Sequence, residues 1–134
     1  MGFTAACYFV TAEGQRVDLA TANDLFEAIA VWEDQDWQRE VAKAEKVTGQ
    51  FPCLWWVRTG EPTTTLSVSG EGEGRFLVML QVVARPGVLG LFGREAASPA
   101  VDGASADQVR TFLAQFYALD KHALCAWAKT VSSP

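Results

Sequence analysis

Apolar positions recur every second residue in some stretches and every third or fourth in others, and the switches between these rhythms lay out the chain. Residues Ala6 to Val10 are apolar and aromatic, Glu13-Gly14 marks a turn, and Gln15 to Leu19 alternates with Val17 and Leu19 apolar. This predicts a short β-hairpin. Thr21-Ala22-Asn23-Asp24 offers capping side chains ahead of Leu25, Ile29 and Trp32, which fall at i, i+4 and i+7 with Phe26 beside them. That is one face of a helix. Trp37, Val41 and Ala44 repeat the spacing, but at roughly 100° per residue their stripe is turned about a quarter turn or more from the first. One straight helix would not bury both stripes. A break is therefore expected at Glu33-Asp34-Gln35-Asp36, with Asp36 as a second N-cap and Gly49 as the residue that ends the helix.

From Phe51 the period becomes two. Leu54 to Val57 reads as a strand after Pro52, and Gly60-Glu61-Pro62 as a turn. Thr63, Thr65, Ser67 and Ser69 alternate with Thr64, Leu66 and Val68, a half-buried strand with a hydroxyl face. Gly70-Glu71-Gly72-Glu73-Gly74 closes a hairpin. Phe76 to Ala84 is apolar on both faces apart from Gln81, as in a central strand. Arg85-Pro86-Gly87 turns the chain and Val88 to Phe92 returns. Such short turns make antiparallel pairs only. Arg94 to Ala104, rich in Ala, Gly, Ser and Pro, reads as a loop. Ser105-Ala106-Asp107-Gln108 is a capping box, and Val109, Phe112, Leu113, Phe116 and Tyr117 form an apolar helix face. Leu119 to Val131, with Leu124 and Trp127, predicts a short last helix, and Ser132-Ser133-Pro134 is expected to fray.

The fold class that follows is α+β: a two-layer sandwich in which an antiparallel meander of about four to six strands carries helices on one face. The other face is left open, with Thr63, Thr65, Ser67 and Ser69 on it. All 134 residues fit a single domain, and a chain of this length buries roughly two-thirds of its unfolded surface without metal or disulfide help. A 49% apolar and 20% charged composition excludes a disordered chain.

The formal net charge of −5 disfavours nucleic acid and anionic lipid as direct partners and favours a basic protein. Cys7, Cys53 and Cys125 are odd in number and form no Cys-x-x-Cys pair, which fits a reducing, cytoplasmic compartment. The N-terminus lacks a basic region before its apolar run, unlike a secretory signal, and Ala6 stands where a myristoylation pattern needs Ser or Thr. No apolar run is long enough to span a bilayer.

Candidate chemistry is sparse. His122 is the one histidine, and Cys125 three residues later makes a Cys–His dyad conceivable, against a surface histidine and a packed cysteine. No cofactor or metal is expected. The Gly70 to Gly74 loop is a poor phosphate cradle, because no helix follows and Glu71 and Glu73 repel anions. It reads as a flexible turn or as an acidic finger for a basic cleft. Glu33, Asp34 and Asp36 lie between Trp32 and Trp37, either as a solvated helix junction or as an acidic and aromatic patch that selects a basic partner. Trp55 and Trp56 point to opposite sheet faces. Arg58 shares a face with Trp56, so Trp56 is expected to be the exposed ring.

One resemblance joins these segments. A helical N-terminal half is followed by a meander through Phe51-Pro52-Cys53-Leu54, Leu66-Ser67-Val68 and Arg75 to Val83. A helix from Val109 to Tyr117 and a tail with Leu124-Cys125-Ala126-Trp127 complete it. This order resembles small immunity proteins of interbacterial, polymorphic toxins, especially those paired with nucleic-acid deaminase toxins. The resemblance implies a cytoplasmic, non-enzymatic protein, monomeric when free, that binds a cognate toxin domain and occludes its active site. Glu33, Asp34, Asp36, Trp37, Trp56, Glu71 and Glu73 are then the expected partner-binding residues. An acidic secretion chaperone for an effector, or a small-molecule-binding domain, are the competing readings.

Overall fold

The computed structural model describes residues 3–46, 50–85 and 95–132. The elements are β1 (Ala5–Val10), β2 (Arg16–Asp18), α1 (Leu25–Glu33), α2 (Trp37–Lys46), β3 (Cys53–Arg58), β4 (Thr65–Gly72), β5 (Arg75–Arg85), β6 (Glu95–Ala97), β7 (Ala100–Ala104), α3 (Ala106–Ala118) and α4 (Lys121–Ser132). Every strand pair is antiparallel, in the order β2-β1-β3-β4-β5-β6, with β7 also on β5. The architecture is the α+β sandwich that the pattern predicts, with the helices on one sheet face.

Register explains the layering. Cys7 lies opposite Trp56, Trp56 opposite Leu66 and Leu66 opposite Leu80; one row away, Phe9, Leu54, Val68 and Val78 repeat the arrangement. These inward side chains meet Trp32 of α1, Val109, Phe112, Leu113 and Phe116 of α3, and Leu124 and Ala128 of α4 in one core. Each Leu, Val or Phe among them contributes about 1.5–3 kcal/mol on burial, which is how two layers hold together without cross-links.

Local signals set the helix starts. The Asp24 side chain accepts from the Glu27 amide at 2.8 Å, and the Glu27 carboxylate accepts from the Asn23 amide at 2.9 Å. Ser105 and Gln108 form the reciprocal capping box of α3. The break between α1 and α2 falls where the two stripes diverge, and the Asp36 carboxylate accepts from the Arg39 amide at 3.1 Å as the N-cap of α2. Phe26 departs from the expected stripe. One residue on from Leu25, it is rotated away from the core and 81% exposed.

Residues 95–104 correct the expected loop. β5 is eleven residues long and needs partners on both edges. Ala97 pairs with Val82 and Ala100 with Met79, so β6 and β7 run along β5 as one edge strand interrupted at Ser98-Pro99. Proline has no amide hydrogen to give the ladder, yet the Pro99 carbonyl still accepts from the Leu80 amide at 3.0 Å. The seven described strands exceed the expected number for this reason. The expected turn at Arg85-Pro86-Gly87, the return strand Val88 to Phe92 and the helix-ending Gly49 lie outside the described residues.

Trp56 is the second correction. It is fully buried on the helix-covered face, and Arg58 beside it is buried as well. The ring on the other face is Trp55, stacked on Tyr8 at 5.8 Å between ring centres. Thr65, Ser67 and Ser69 do lie on that face, but Ser67, flanked in register by Trp55 and Met79, is only 4% exposed.

Candidate functional site

The α1–α2 junction is fixed by Trp37, whose indole N–H donates to the Trp32 carbonyl at 2.9 Å. The Trp37 ring then packs edge-on against Phe9 and Phe76, at 5.6 and 5.5 Å between centres. Gly70 of β4 lets α2 lie this close. A Cβ there would stand 2.8 Å from Trp37 Cε3 and 2.9 Å from Val41 Cγ2. Beyond Gly70, β4 and β5 turn back through Glu73 and Gly74, both with positive φ (58° and 70°). Glycine and asparagine are the usual residues of such a turn. A glutamate in the left-handed region carries about 1–2 kcal/mol of strain.

Helix and hairpin together enclose a cleft of about 480 Å³. Trp37, Val41 and Phe76 form its apolar lining, with Gln38, Glu45 and Glu73 as polar lining residues. Arg75 also lines it, while its guanidinium donates to the Gly103 carbonyl of β7 at 3.5 Å. Two carboxylates against one guanidinium give the cleft an acidic balance.

The expected partner-binding residues divide. Trp37 and Glu73, 36 positions apart in sequence, meet at the cleft. Glu71 does not line the cleft; it accepts from the Gly103 amide of β7 at 2.9 Å. A hydrogen bond with Asp102 holds its carboxyl above the ordinary carboxylate range. Glu33 pairs with Arg110 at 3.6 Å, Asp34 caps the end of α1, and Asp36 is spent on the N-cap of α2. None of these three lines the cleft. Trp56 is sealed in the core and is excluded as a contact residue by burial. Glu45 was missed by sequence reasoning, although its spacing of four from Val41 and eight from Trp37 puts all three on one helix face.

The other candidate chemistry comes apart. His122 Nδ1 lies 2.7 Å from Glu95 Oε1, and this bond lowers the Glu95 carboxyl. Cys125 is buried, and desolvation raises its thiol. Burial also pushes Cys7 up to about 11 and raises Cys53. These thiols are therefore poor nucleophiles near neutral pH. Among the described residues no group of three or more His, Cys, Asp and Glu is placed to hold a metal, and no helix is long and apolar enough to cross a membrane.

A second concentration of charge lies inside. Arg58 is 1% exposed, with its guanidinium between the rings of Phe3 and Phe116 at 3.9 and 4.9 Å. It reaches Glu61 at 3.4 Å and donates to the Phe116 carbonyl. Burial lowers its pKa and Glu61 opposes that shift.

No family model, curated protein or solved structure matches the chain.

Proposed function

We propose that the protein acts by binding, as an immunity-type inhibitor that covers the active site of a basic toxin domain. The observation that carries the reading is the convergence of Trp37 and Glu73 on one acidic, aromatic cleft. Aromatic anchors in a concave surface with charge at the rim are what protein interfaces use for affinity and partner choice. The net charge of −5 adds long-range attraction for a basic partner. The reading is tested by co-expressing the protein with any toxin domain found encoded beside its gene. Protection from that toxin supports the proposal, and unimpaired killing sinks it.

The open sheet face favours a second reading, the secretion chaperone. Trp55 and Tyr8 stack there, and Met79 is 48% exposed. Chaperones of that kind are mostly dimers, and an apolar sheet face suits self-association. Light scattering after size exclusion separates the two: a monomer fits the inhibitor, a strict dimer the chaperone.

A further inference from the structure

We infer that the cleft between α2 and the β4–β5 hairpin is a socket for one arginine or lysine side chain presented by the partner, an inference that rests on the binding-protein reading and deepens it. The shape and chemistry of the lining fit that guest. Trp37, Val41 and Phe76 offer an apolar wall for a methylene stem, and Glu45 and Glu73 offer carboxylates for its charged head. Long basic side chains have this division between apolar stem and polar tip.

The fold itself repeats the arrangement with its own arginines. Arg16 sits 3.9 Å above Tyr8 and bonds Asp18 at 2.9 Å. Arg58 sits between Phe3 and Phe116 beside Glu61. Arg110 lies 5.4 Å from Trp32 and 3.6 Å from Glu33. In each, a guanidinium meets an aromatic ring and a carboxylate, a pairing that both electrostatics and stacking favour. Trp37 and Phe76, with Glu45 and Glu73, supply the ring and the acid a fourth time. Among the described residues, none of the cation–ring contacts uses either ring. Arg75, the cation that lines the cleft, bonds toward β7 instead.

The backbone at Glu73 is an independent sign. A two-residue hairpin turn with both φ positive is easiest with Asn-Gly or Gly-Gly. Glutamate at φ 58° keeps a carboxylate at the mouth of the cleft at a cost in backbone strain. Strain retained at one surface position points to use of that side chain.

The test is a titration of the ¹⁵N-labelled protein with acetyl-arginine amide, with acetyl-norleucine amide as the uncharged stem. The proposal expects the arginine compound to shift the Trp37 indole and the Gly72 and Gly74 amides, at least about tenfold more tightly than norleucine, the size of a modest charge contribution. The exposed-site variant Glu45→Gln/Glu73→Gln, its spectrum otherwise unchanged, should lose that difference. Equal response to both compounds, shifts centred elsewhere, or an unchanged titration in the variant would overturn it. Binding of arginine without protection from any toxin leaves the socket and removes the inhibitor reading. Protection without arginine binding removes the socket alone.

Discussion

The Arg58 site and the Trp37 cleft use the same groups for opposite ends. At one, two aromatic rings, a carboxylate and a carbonyl close around a guanidinium that the chain supplies itself. At the other, two aromatic rings and two carboxylates line an open cleft. The first is a fold device. A buried cation is costly unless it is paired. Glu61 and the Phe116 carbonyl take its two terminal nitrogens while Nε is left without a hydrogen-bond partner, so Phe3, Glu61 and Phe116, distant in sequence, are tied to one point. The second leaves its charge to be matched from outside. Identical side-chain chemistry therefore says little about role until burial is known.

The comparison can be broken most severely at its inner end. Arg58→Ala should cost about 3–5 kcal/mol, because it leaves Glu61 and a buried carbonyl without their partner. Urea denaturation measures this, and a loss under about 1 kcal/mol would remove Arg58 from the fold's key contacts. At the outer end, Gly70→Ala should cost about 1–3 kcal/mol by driving a methyl into Trp37 and Val41. It should also displace the Trp37 indole resonance; a neutral substitution would show that α2 shifts freely on β4.

Glu73→Gly has the opposite sign. Relief of the left-handed strain should stabilise the fold by about 1 kcal/mol while weakening capture of the basic guest. Stability and binding that fall together would place Glu73 in a structural role instead. The smallest effect is at Glu71. Its carboxyl is raised above the ordinary 4.5 by Asp102, so the folded state holds its proton longer than the unfolded state does. Stability from this group is then present at low pH and is lost as pH rises through the folded value. Glu71→Gln should flatten that loss and gain under about 1 kcal/mol at neutral pH, as befits an exposed pair. An unchanged pH profile of the melting temperature would contradict the Asp102 bond.

Periodicity revealed much of the scaffold in advance. Both stripes of the broken helix, the cap at Asp36 and the Ser105–Gln108 box follow from local chemistry, and local chemistry is what spacing records. Residues 95–104 were illegible because small residues carry no alternating pattern; the demand came from the free edge of β5, the preceding strand, and not from their own pattern. Trp56 was misplaced by one charge. Leu54, Trp55, Trp56 and Val57 alternate in nothing a hydropathy pattern detects, so Arg58 decided the face, and this arginine is one the fold buries. Half of the cleft was visible as Trp37 and Glu73. Their meeting was not, since it depends on a glycine at position 70 that brings α2 against the hairpin. The helix ends at Asp34 and Asp36 were legible as a junction, but the pairing of Glu33 with Arg110 was not, since α3 lies far along the chain.

The central claim is that the cleft, not the helix junction, receives the basic partner. Calorimetric affinity for the proposed basic partner tests it with two equal charge changes, Glu45→Lys/Glu73→Lys in the cleft and Glu33→Lys/Asp34→Lys at the junction. The account predicts a loss of about a hundredfold or more for the cleft pair, on the scale of close charge pairs at protein interfaces, and less than about tenfold for the junction pair. A loss at the junction equal to or greater than that at the cleft would contradict it.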